Sequence, residues 1–211
     1  MEQVLNIDAS LLASANDFYE LMNKRRTIRK FSSKNVPIEV VKECVRTAAT
    51  APSGANKQPW YFAIVQSERI KAKIREAAEK EEYCFYHKRN NKEWLNDLKP
   101  FKTNWQKPHL EQASALVIIF SKTFEDEEKT KKCYYSKESV GIATGMLITA
   151  FHRLGISTLT HTPNPMSFLN SILGRPKNEK PFLILAVGYK DENCELPAIK
   201  RKEFKEISDV F

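Results

Sequence analysis

The residues with the clearest chemical potential form a short basic run that includes Arg25, Arg26 and Arg29. On a helix Arg25 and Arg29 would share one face, because residues four apart are neighbours, and at a helix end the three side chains would fan around the terminus. A guanidinium presents planar donors that match phosphate oxygens. The run therefore predicts an anion site, with a solvated basic face as the alternative interpretation.

Several common chemistries are excluded by the glycine and cysteine patterns. With six glycines the chain contains no dinucleotide-binding, P-loop or nucleophile-elbow motif. Ser53 has no histidine near it in a known triad order and is more typical of a loop serine that bonds the backbone. The four cysteines are widely spaced, which argues against a zinc site and a disulfide framework.

Composition indicates a single globular domain spanning residues 1–211, with 42% hydrophobic residues and a net charge of +8. The excess of base raises the possibility of nucleic acid, anionic lipid or a phosphorylated ligand as partner. Elsewhere, however, bases alternate with acids, as in Glu125–Lys132. The N-terminus lacks a basic-then-apolar signal and the longest charge-free apolar stretch, Ser139–His152, is too short to span a bilayer. We therefore expect a cytoplasmic protein without a membrane partner, and the even spread of most charges favours the absence of a nucleic-acid partner.

Apolar runs and helical periodicities alternate along the chain, which predicts a mixed α and β fold. Buried strands are predicted at Trp60–Val65, Leu116–Phe120, Ile156–Thr160 and Phe182–Val187. Helices are predicted from an N-cap at Asn16 or Asp17, from Pro37 to Ala49, at Glu68–Glu82 and at Tyr134–Leu154. The loop Ala51–Pro59 lies between two of these elements, and a helical excursion or lid is expected at about 83–109.

The predicted helix Tyr134–Leu154 is apolar on nearly all sides between Val140 and Phe151, with Gly141 and Gly145 four apart. Such a helix must be covered all round, and its glycines permit close approach of another helix. A dimer interface would cover it, and a central position in the monomer's own core is the alternative. The tail at about 189–211 has no partner element in the sequence and could wrap around a second subunit.

Ordered motifs give the chain a family resemblance. Tyr19–Arg29 and Ala51–Trp60 resemble the first two signatures of the FMN-dependent nitroreductase superfamily. Further stretches resemble its iodotyrosine deiodinase branch of halotyrosine dehalogenases: Glu79–Glu82 with Tyr86, Thr103–Lys107, Thr160–Pro163, Leu173–Pro176, Val187–Tyr189 and Lys200–Lys202. The resemblance implies an α+β nitroreductase-like fold: a central mixed, largely antiparallel sheet flanked by helices, with the C-terminal extension exchanged across a homodimer.

The resemblance also implies FMN as cofactor. The matching cofactor positions are Arg25, Arg26, Thr27, Arg29, Pro52, Ser53, Gly54, Thr160, His161, Thr162 and Arg201. Arg29 matches the position beside the flavin pyrimidine edge, where a cation would stabilise the reduced flavin. Thr162 is the single catalytic assignment, as the donor of a hydrogen bond to flavin N5. No role beyond this segment is assigned to His161.

The implied substrate contacts are Ala55, Glu82, Tyr86 and Lys107. The amide of Ala55 matches the group that meets the phenolate oxygen, and the other three match lid residues that hold the amino-acid end. Their chemistry suits a zwitterion, because Glu82 offers a carboxylate and Lys107 an ammonium. Glu82 and Tyr86 are four apart and so share a helix face.

These matches predict FMN-dependent reductive dehalogenation of 3-iodotyrosine and related halotyrosines. The two electrons would come from a flavin reductant, either NAD(P)H directly or a separate reductase. A broad-specificity NAD(P)H-dependent nitro or quinone reductase is the first alternative, which would not need a zwitterion clamp. A basic nucleic-acid-binding module is the second, and it predicts a colourless protein with salt-sensitive affinity for DNA.

Overall fold

The computed structural model describes residues 9–89 and 92–211, and its centre is one four-stranded antiparallel sheet. The strands are β1 (Trp60–Val65), β2 (Ala115–Lys122), β3 (Ser157–His161) and β4 (Glu179–Gly188), in the order β1-β2-β4-β3. The predicted strands are confirmed, with β2 and β4 longer at both ends. The parallel element of the predicted mixed sheet is a single bridge between Thr27 and Thr158.

Helices cover both faces of this sheet. They are α1 (Ala9–Asn23), α2 (Ile38–Ala48), α3 (Glu68–His87), α4 (Lys92–Leu98), α5 (His109–Gln112), α6 (Ser136–Arg153) and α7 (Phe168–Leu173). Short 3₁₀ turns lie at Gly54–Asn56, Lys99–Phe101 and Phe204–Glu206. Within residues 9–89 and 92–211, no helix is both long enough and apolar enough to cross a bilayer.

The two faces of β2 pack into separate cores, because successive side chains of a strand point in opposite directions. Val117 and Ile119 pack with α2 and α6, whereas Leu116 and Ile118 pack with α3, α5 and α7. Both sets are fully buried. A strand buried on both faces has no polar face, which explains the uninterrupted apolar run from Leu116 to Phe120.

Two predicted helix boundaries were wrong. The described part of α1 begins at Ala9, so Asn16 and Asp17 lie inside the helix and are exposed there rather than capping it. Helix α3 continues past Glu82 to His87, because its last turns pack against lid residues instead of the sheet. The ring of Tyr83, for example, contacts Trp105 at a centroid distance of 5.6 Å. The first part of the predicted lid is therefore a continuation of α3.

Helix α6 buries one face in the monomer. Val140, Ala143, Leu147 and Phe151 are fully buried, at the spacing of an amphipathic helix. The opposite side, which includes Gly141, Ile142 and Gly145, is exposed. One face of the helix therefore belongs to the monomer core, and the dimer interface predicted for the other face stays a prediction.

Gly188 ends β4 where no side chain fits, which gives a prediction about stability. A Cβ added to Gly188 would lie 2.8 Å from the Phe31 ring carbon Cδ1. Gly188→Ala is therefore expected to lower the free energy of unfolding by about 1–3 kcal/mol, measured by urea denaturation. In a Phe31→Ala background the added methyl group has room, so the further loss should shrink. An equal loss in both backgrounds would contradict the steric explanation.

Candidate active site

A cavity of about 420 Å³ opens between the C-terminal half of α3, the lid and the end of β3. Seven of the predicted cofactor and substrate residues line it: Arg29, Glu82, Tyr86, Lys107, Thr160, His161 and Thr162. The cavity therefore joins segments that lie more than 130 residues apart in the sequence.

One wall of this cavity carries an ion pair and a neighbouring phenol, which belong to Glu82, Lys107 and Tyr86. Lys107 Nζ lies 3.1 Å from Glu82 Oε2, and the ammonium sits 5.3 Å from the centre of the Tyr86 ring. The side chains of Glu82 and Lys107 are only 14% and 6% exposed. Lys107 Nζ also donates to the Asn104 carbonyl and to Thr103 Oγ1. We call Glu82, Tyr86 and Lys107 the clamp.

Burial controls the electrostatics of the clamp. Desolvation raises the pKa of the Glu82 carboxyl, against the attraction of Lys107. Desolvation likewise lowers the pKa of Lys107, against the attraction of Glu82. The pKa of Tyr86 is also raised by burial, against a hydrogen bond with Thr103. A ligand that carries both an ammonium and a carboxylate can replace this internal ion pair with two better-separated ones.

Glu79 connects the loop that carries Lys107 to helix α3. Its Oε1 accepts a hydrogen bond from the backbone N–H of Lys107 at 2.6 Å and another from Arg75 Nε at 2.8 Å. Glu79 lies three residues before Glu82, so both carboxylates fall on the same side of α3. The helix that supplies Glu82 therefore also fixes the loop that supplies Lys107.

The basic run reaches the same region because it pairs with β3. The N–H of Ile28 donates to the Thr158 carbonyl at 3.2 Å, next to the parallel bridge at Thr27. The following residues bind the start of the tail, where Ser32 N donates to the Tyr189 carbonyl at 2.9 Å. The run therefore lies between β3 and the C-terminal tail.

Four arginines surround a smaller cavity of about 120 Å³ beside this run. Arg25, Arg26, Arg29 and Arg201 line it together with Thr27, and in the described part of the chain no acidic side chain lines it or forms an ion pair with these arginines. The pKa of Arg25 is lowered by burial and by the nearby cations Arg201 and Arg26. Clustered guanidiniums without a carboxylate form a site that lacks its counter-charge.

Two of these arginines are already engaged by their own chain. Arg26 Nη1 donates to the carbonyls of Asn23 and Arg25 at 2.7 and 3.0 Å. Arg201 donates to the same two carbonyls and to Asn23 Oδ1, at 2.9–3.0 Å. These bonds satisfy backbone carbonyl groups at the C-terminal end of α1, and those from Arg201 also connect the tail to this helix. Arg25 and Arg29 keep more of their donors available for an anion.

The loop with Pro52, Ser53, Gly54 and Ala55 does not line either cavity of its own chain. Ser53 Oγ accepts from the N–H of Gln58 at 2.9 Å, and Ala55 adopts a left-handed conformation at φ 51°. A Cβ on Gly54 would lie 3.0 Å from the Tyr135 ring and 3.1 Å from the Tyr134 carbonyl, so any larger residue there would have to displace these neighbours. The contacts predicted for this loop with cofactor and substrate stay predictions.

Sequence reasoning missed three residues that shape the main cavity. His109, at the start of α5, is buried in its wall, and no sequence motif pointed to it. Trp94 contacts the Phe85 ring at a centroid distance of 4.9 Å. Arg89 Nη1 donates to the Asn164 carbonyl at 2.8 Å, which joins the end of α3 to the segment after β3. Spacing along the chain gives no sign of these long-range contacts.

The donor set suits the phosphate and flavin of FMN. Arg25, Arg29 and Arg201 converge on one small cavity, and Thr160, Thr162 and Arg29 line the adjacent larger one. A phosphate of charge about −2 would supply the counter-charge that the arginines lack. The residues present therefore fit the cofactor that the sequence predicted.

This architecture defines a flavoenzyme fold, and the chain belongs to the nitroreductase family, whose model matches residues 22–189. It is similar to proteins named iodotyrosine deiodinase. The relative from Haliscomenobacter hydrossis is 48% identical over 95% of this chain and 91% of its own, and that from Hydra vulgaris is 43% identical over 97% and 76%. A human relative is 41% identical over 95% and 70%.

Solved structures agree with these relatives. The crystal structure of an oxidised iodotyrosine deiodinase bound to FMN and 3-iodo-L-tyrosine has a TM-score of 0.78 and 31% identity, over 92% of this chain and all of that one. A BluB-like flavoprotein from Clostridium difficile has a TM-score of 0.71 at 20% identity, over 92% and 98% of the two chains, and shows the fold alone. The predicted α+β nitroreductase-like fold is confirmed, and the exchange of the C-terminal extension across a homodimer stays a prediction.

Proposed function

We propose that the protein is an FMN-dependent oxidoreductase that dehalogenates 3-iodotyrosine and related halotyrosines to tyrosine and halide. The observation that carries this proposal is the clamp, in which a buried carboxylate and a buried ammonium lie 3.1 Å apart in a cavity of about 420 Å³. Reduction of a simple nitroaromatic or quinone does not require such a pair. The similarity to named iodotyrosine deiodinases supports the same substrate class.

When bound, reduced FMN supplies the two electrons that turn the carbon–halogen bond into a carbon–hydrogen bond and a halide, with one proton taken up. Arg25, Arg26, Thr27 and Arg201 would hold the phosphate end, and Arg29, which lines both cavities, would lie beside the pyrimidine edge of the flavin. Thr160 and Thr162, which are exposed at the end of β3, would face the isoalloxazine, and Thr162 would donate a hydrogen bond to N5. The side chains thus bind and orient the cofactor and provide no nucleophile.

The clamp orients the substrate by its charged end. Glu82 receives the ammonium, Lys107 binds the carboxylate, and Tyr86 adds a phenolic hydrogen bond. Each charged hydrogen bond of this kind contributes about 1.5–3 kcal/mol. Because the lid also carries Phe85, Trp94 and Leu98 into the cavity wall, its closure excludes water from the aromatic ring.

A homodimer completes the site. The loop from Pro52 to Ala55 does not line either of these cavities in its own chain, so we assign its contacts with cofactor and substrate to the second copy. The exposed side of α6 supplies a face for that copy, as do Phe204, Ile207 and Val210 of the tail. We place this dimer in the cytoplasm, with NAD(P)H or a separate reductase as the source of electrons.

Mixing two defective variants tests the shared site. Ala55→Pro removes the amide and cannot adopt φ 51°, and Glu82→Gln disables the clamp. Each homodimer is expected to be nearly inactive, whereas co-refolded chains regain activity because one site of the heterodimer contains both intact parts. Ala55→Gly keeps the amide and the conformation, so it should remain active. Mixed chains that stay inactive would contradict the shared site.

The function itself is tested with light absorption. Purified protein is expected to be yellow, and the anaerobically reduced holoenzyme should be reoxidised by 3-iodotyrosine with release of one iodide per flavin. Reoxidation by a nitroaromatic and not by 3-iodotyrosine would favour a nitro or quinone reductase instead. A colourless protein that binds DNA with a steep dependence on salt would point to the nucleic-acid-binding class.

A further inference from the structure

Two buried histidines in the wall of the main cavity have no role in the proposed chemistry. His109 and His161 are 6% and 8% exposed, and their rings meet edge to face at a centroid distance of 5.6 Å. In the described part of the chain, the Nε2 atom of each is buried without a hydrogen-bond partner. A buried polar atom without a partner is costly, so native structures retain few of them.

The two strand neighbours of His161 face away from it. Along β3 and just beyond, Thr160 and Thr162 are exposed while His161 is buried, as strand alternation requires. His161 therefore lies on the side of α3 and α5, next to Glu82 of the clamp. Its surroundings differ from those of the two threonines proposed to face the flavin, although all three line the same cavity.

The distance to Glu82 identifies what His161 can do. His161 Nε2 lies 3.7 Å from Glu82 Oε1, which is too long for a hydrogen bond between them. Two atoms at that separation can both lie about 2.7–3.2 Å from one nitrogen placed between them. Glu82 Oε2, meanwhile, faces Lys107. A group with several N–H donors that bound between Oε1 and Nε2 would therefore satisfy both acceptors.

The charge state of His161 agrees with a role as acceptor. Burial, followed by the neighbouring His109 and Lys107, lowers the pKa of His161 well below its ordinary value. The same causes, with burial again the largest, lower the pKa of His109 to about 3. Both rings are therefore neutral near pH 7. A neutral imidazole with its proton on Nδ1 offers Nε2 as a hydrogen-bond acceptor.

We infer that His161 Nε2 and Glu82 Oε1 together form the seat for the substrate's ammonium group, with His109 packed behind His161 to hold its ring in place. This inference rests on the proposed function and assigns His161 to the substrate rather than the cofactor. An ammonium has three donors, and the seat supplies acceptors for two of them. A substrate without an ammonium leaves Nε2 without a partner, so the seat favours amino acids over simple halophenols.

Three ligands separate this role from a general structural one. They are 3-iodotyrosine, 3-iodotyramine, which lacks the carboxylate, and 3-(3-iodo-4-hydroxyphenyl)propanoate, which lacks the ammonium. Binding to oxidised holoenzyme is measured as quenching of flavin fluorescence. His161→Leu is expected to weaken the first two ligands by about 10- to 100-fold and to leave the propanoate within about twofold.

Two further variants serve as controls. His161→Gln restores an acceptor and should recover most of the affinity for 3-iodotyrosine. Lys107→Met should show the opposite selectivity, with losses for 3-iodotyrosine and the propanoate and little change for 3-iodotyramine. FMN content and urea midpoint are measured for every variant, and if His161→Leu does not fold, His161→Phe replaces it.

The outcomes are distinguishable. Equal losses for all three ligands in His161→Leu, or no loss for any, would overturn the assignment of His161 while leaving the proposed function in place. Wild-type holoenzyme that binds none of the three ligands would overturn the proposed function and the ammonium seat with it. A loss confined to the two ammonium-bearing ligands, recovered by His161→Gln, would support the seat.

Discussion

Glu82→Gln is expected to weaken the binding of 3-iodotyrosine by about 10- to 150-fold while FMN stays bound. The substitution keeps the shape of the side chain and removes the charge that meets the ammonium, a charged hydrogen bond of about 1.5–3 kcal/mol. It also releases Lys107 from its 3.1 Å contact with the carboxylate. Affinity for the propanoate analogue should therefore be unchanged or tighter.

The adjacent carboxylate provides the matched control. Glu81 lines the same cavity and lies 3.7 Å from Arg89 instead of Lys107. Glu81→Gln makes the same change of charge one residue away, and it is expected to alter the dissociation constant by less than about threefold. Unchanged affinity in Glu82→Gln, or equal losses in both variants, would remove Glu82 from the clamp.

The pH dependence of binding follows from the same burial. Binding requires ionised Glu82, whose pKa is raised, so affinity is present above that raised pKa and is lost as the pH falls through it. Binding also requires charged Lys107, whose pKa is lowered, so affinity is lost as the pH rises through that value. The pH window in which the substrate binds tightly should therefore be narrower at both ends than it would be for an exposed Glu and Lys.

A titration of the dissociation constant for 3-iodotyrosine across pH checks this window. The acid limb should shift or disappear in Glu82→Gln, and the alkaline limb in Lys107→Met. A profile limited only by ordinary carboxyl and ammonium values would contradict the burial of the clamp.

The strands were predictable because both cores of the sheet require apolar runs at those positions. Leu116–Phe120 is apolar throughout, and such a short run, rich in β-branched residues, is typical of a strand buried on both faces. The end of α3 was not predictable in the same way. Phe85 and Tyr86 pack against the lid and the cavity, so the apolar pattern of a helix that lies on the sheet stops near Glu82.

The clamp could be proposed from sequence because its three residues fall in two recognisable motifs. Its environment could not, since His109 and Glu79 act on it through contacts between elements distant in sequence. The backbone N–H of Lys107, for instance, is held by a carboxylate 28 residues earlier. Local patterns carry information about neighbours along the chain, whereas these contacts depend on how α3, α5 and β3 pack.

Arg25→Ala is expected to weaken FMN binding by about 10- to 150-fold, measured by equilibrium dialysis of apoprotein with FMN. The guanidinium of Arg25 is half-buried beside Arg201 and Arg26, and no carboxylate pairs with it among residues 9–89 and 92–211. Each charged hydrogen bond to a phosphate contributes about 1.5–3 kcal/mol. Affinity should also become less sensitive to salt, because one ionic contact is lost.

Two other arginine variants test whether the loss of FMN affinity is specific to Arg25. Arg26→Ala should reduce FMN affinity less, because Arg26 already donates to two carbonyls at the end of α1, and it should cost the protein about 0.5–1.5 kcal/mol of stability through those lost bonds. Arg46→Ala removes an equal charge from an exposed pair with Glu43 and should leave FMN affinity unchanged. Equal losses in Arg25→Ala and Arg46→Ala would show that net charge, rather than the converging guanidiniums, holds the phosphate.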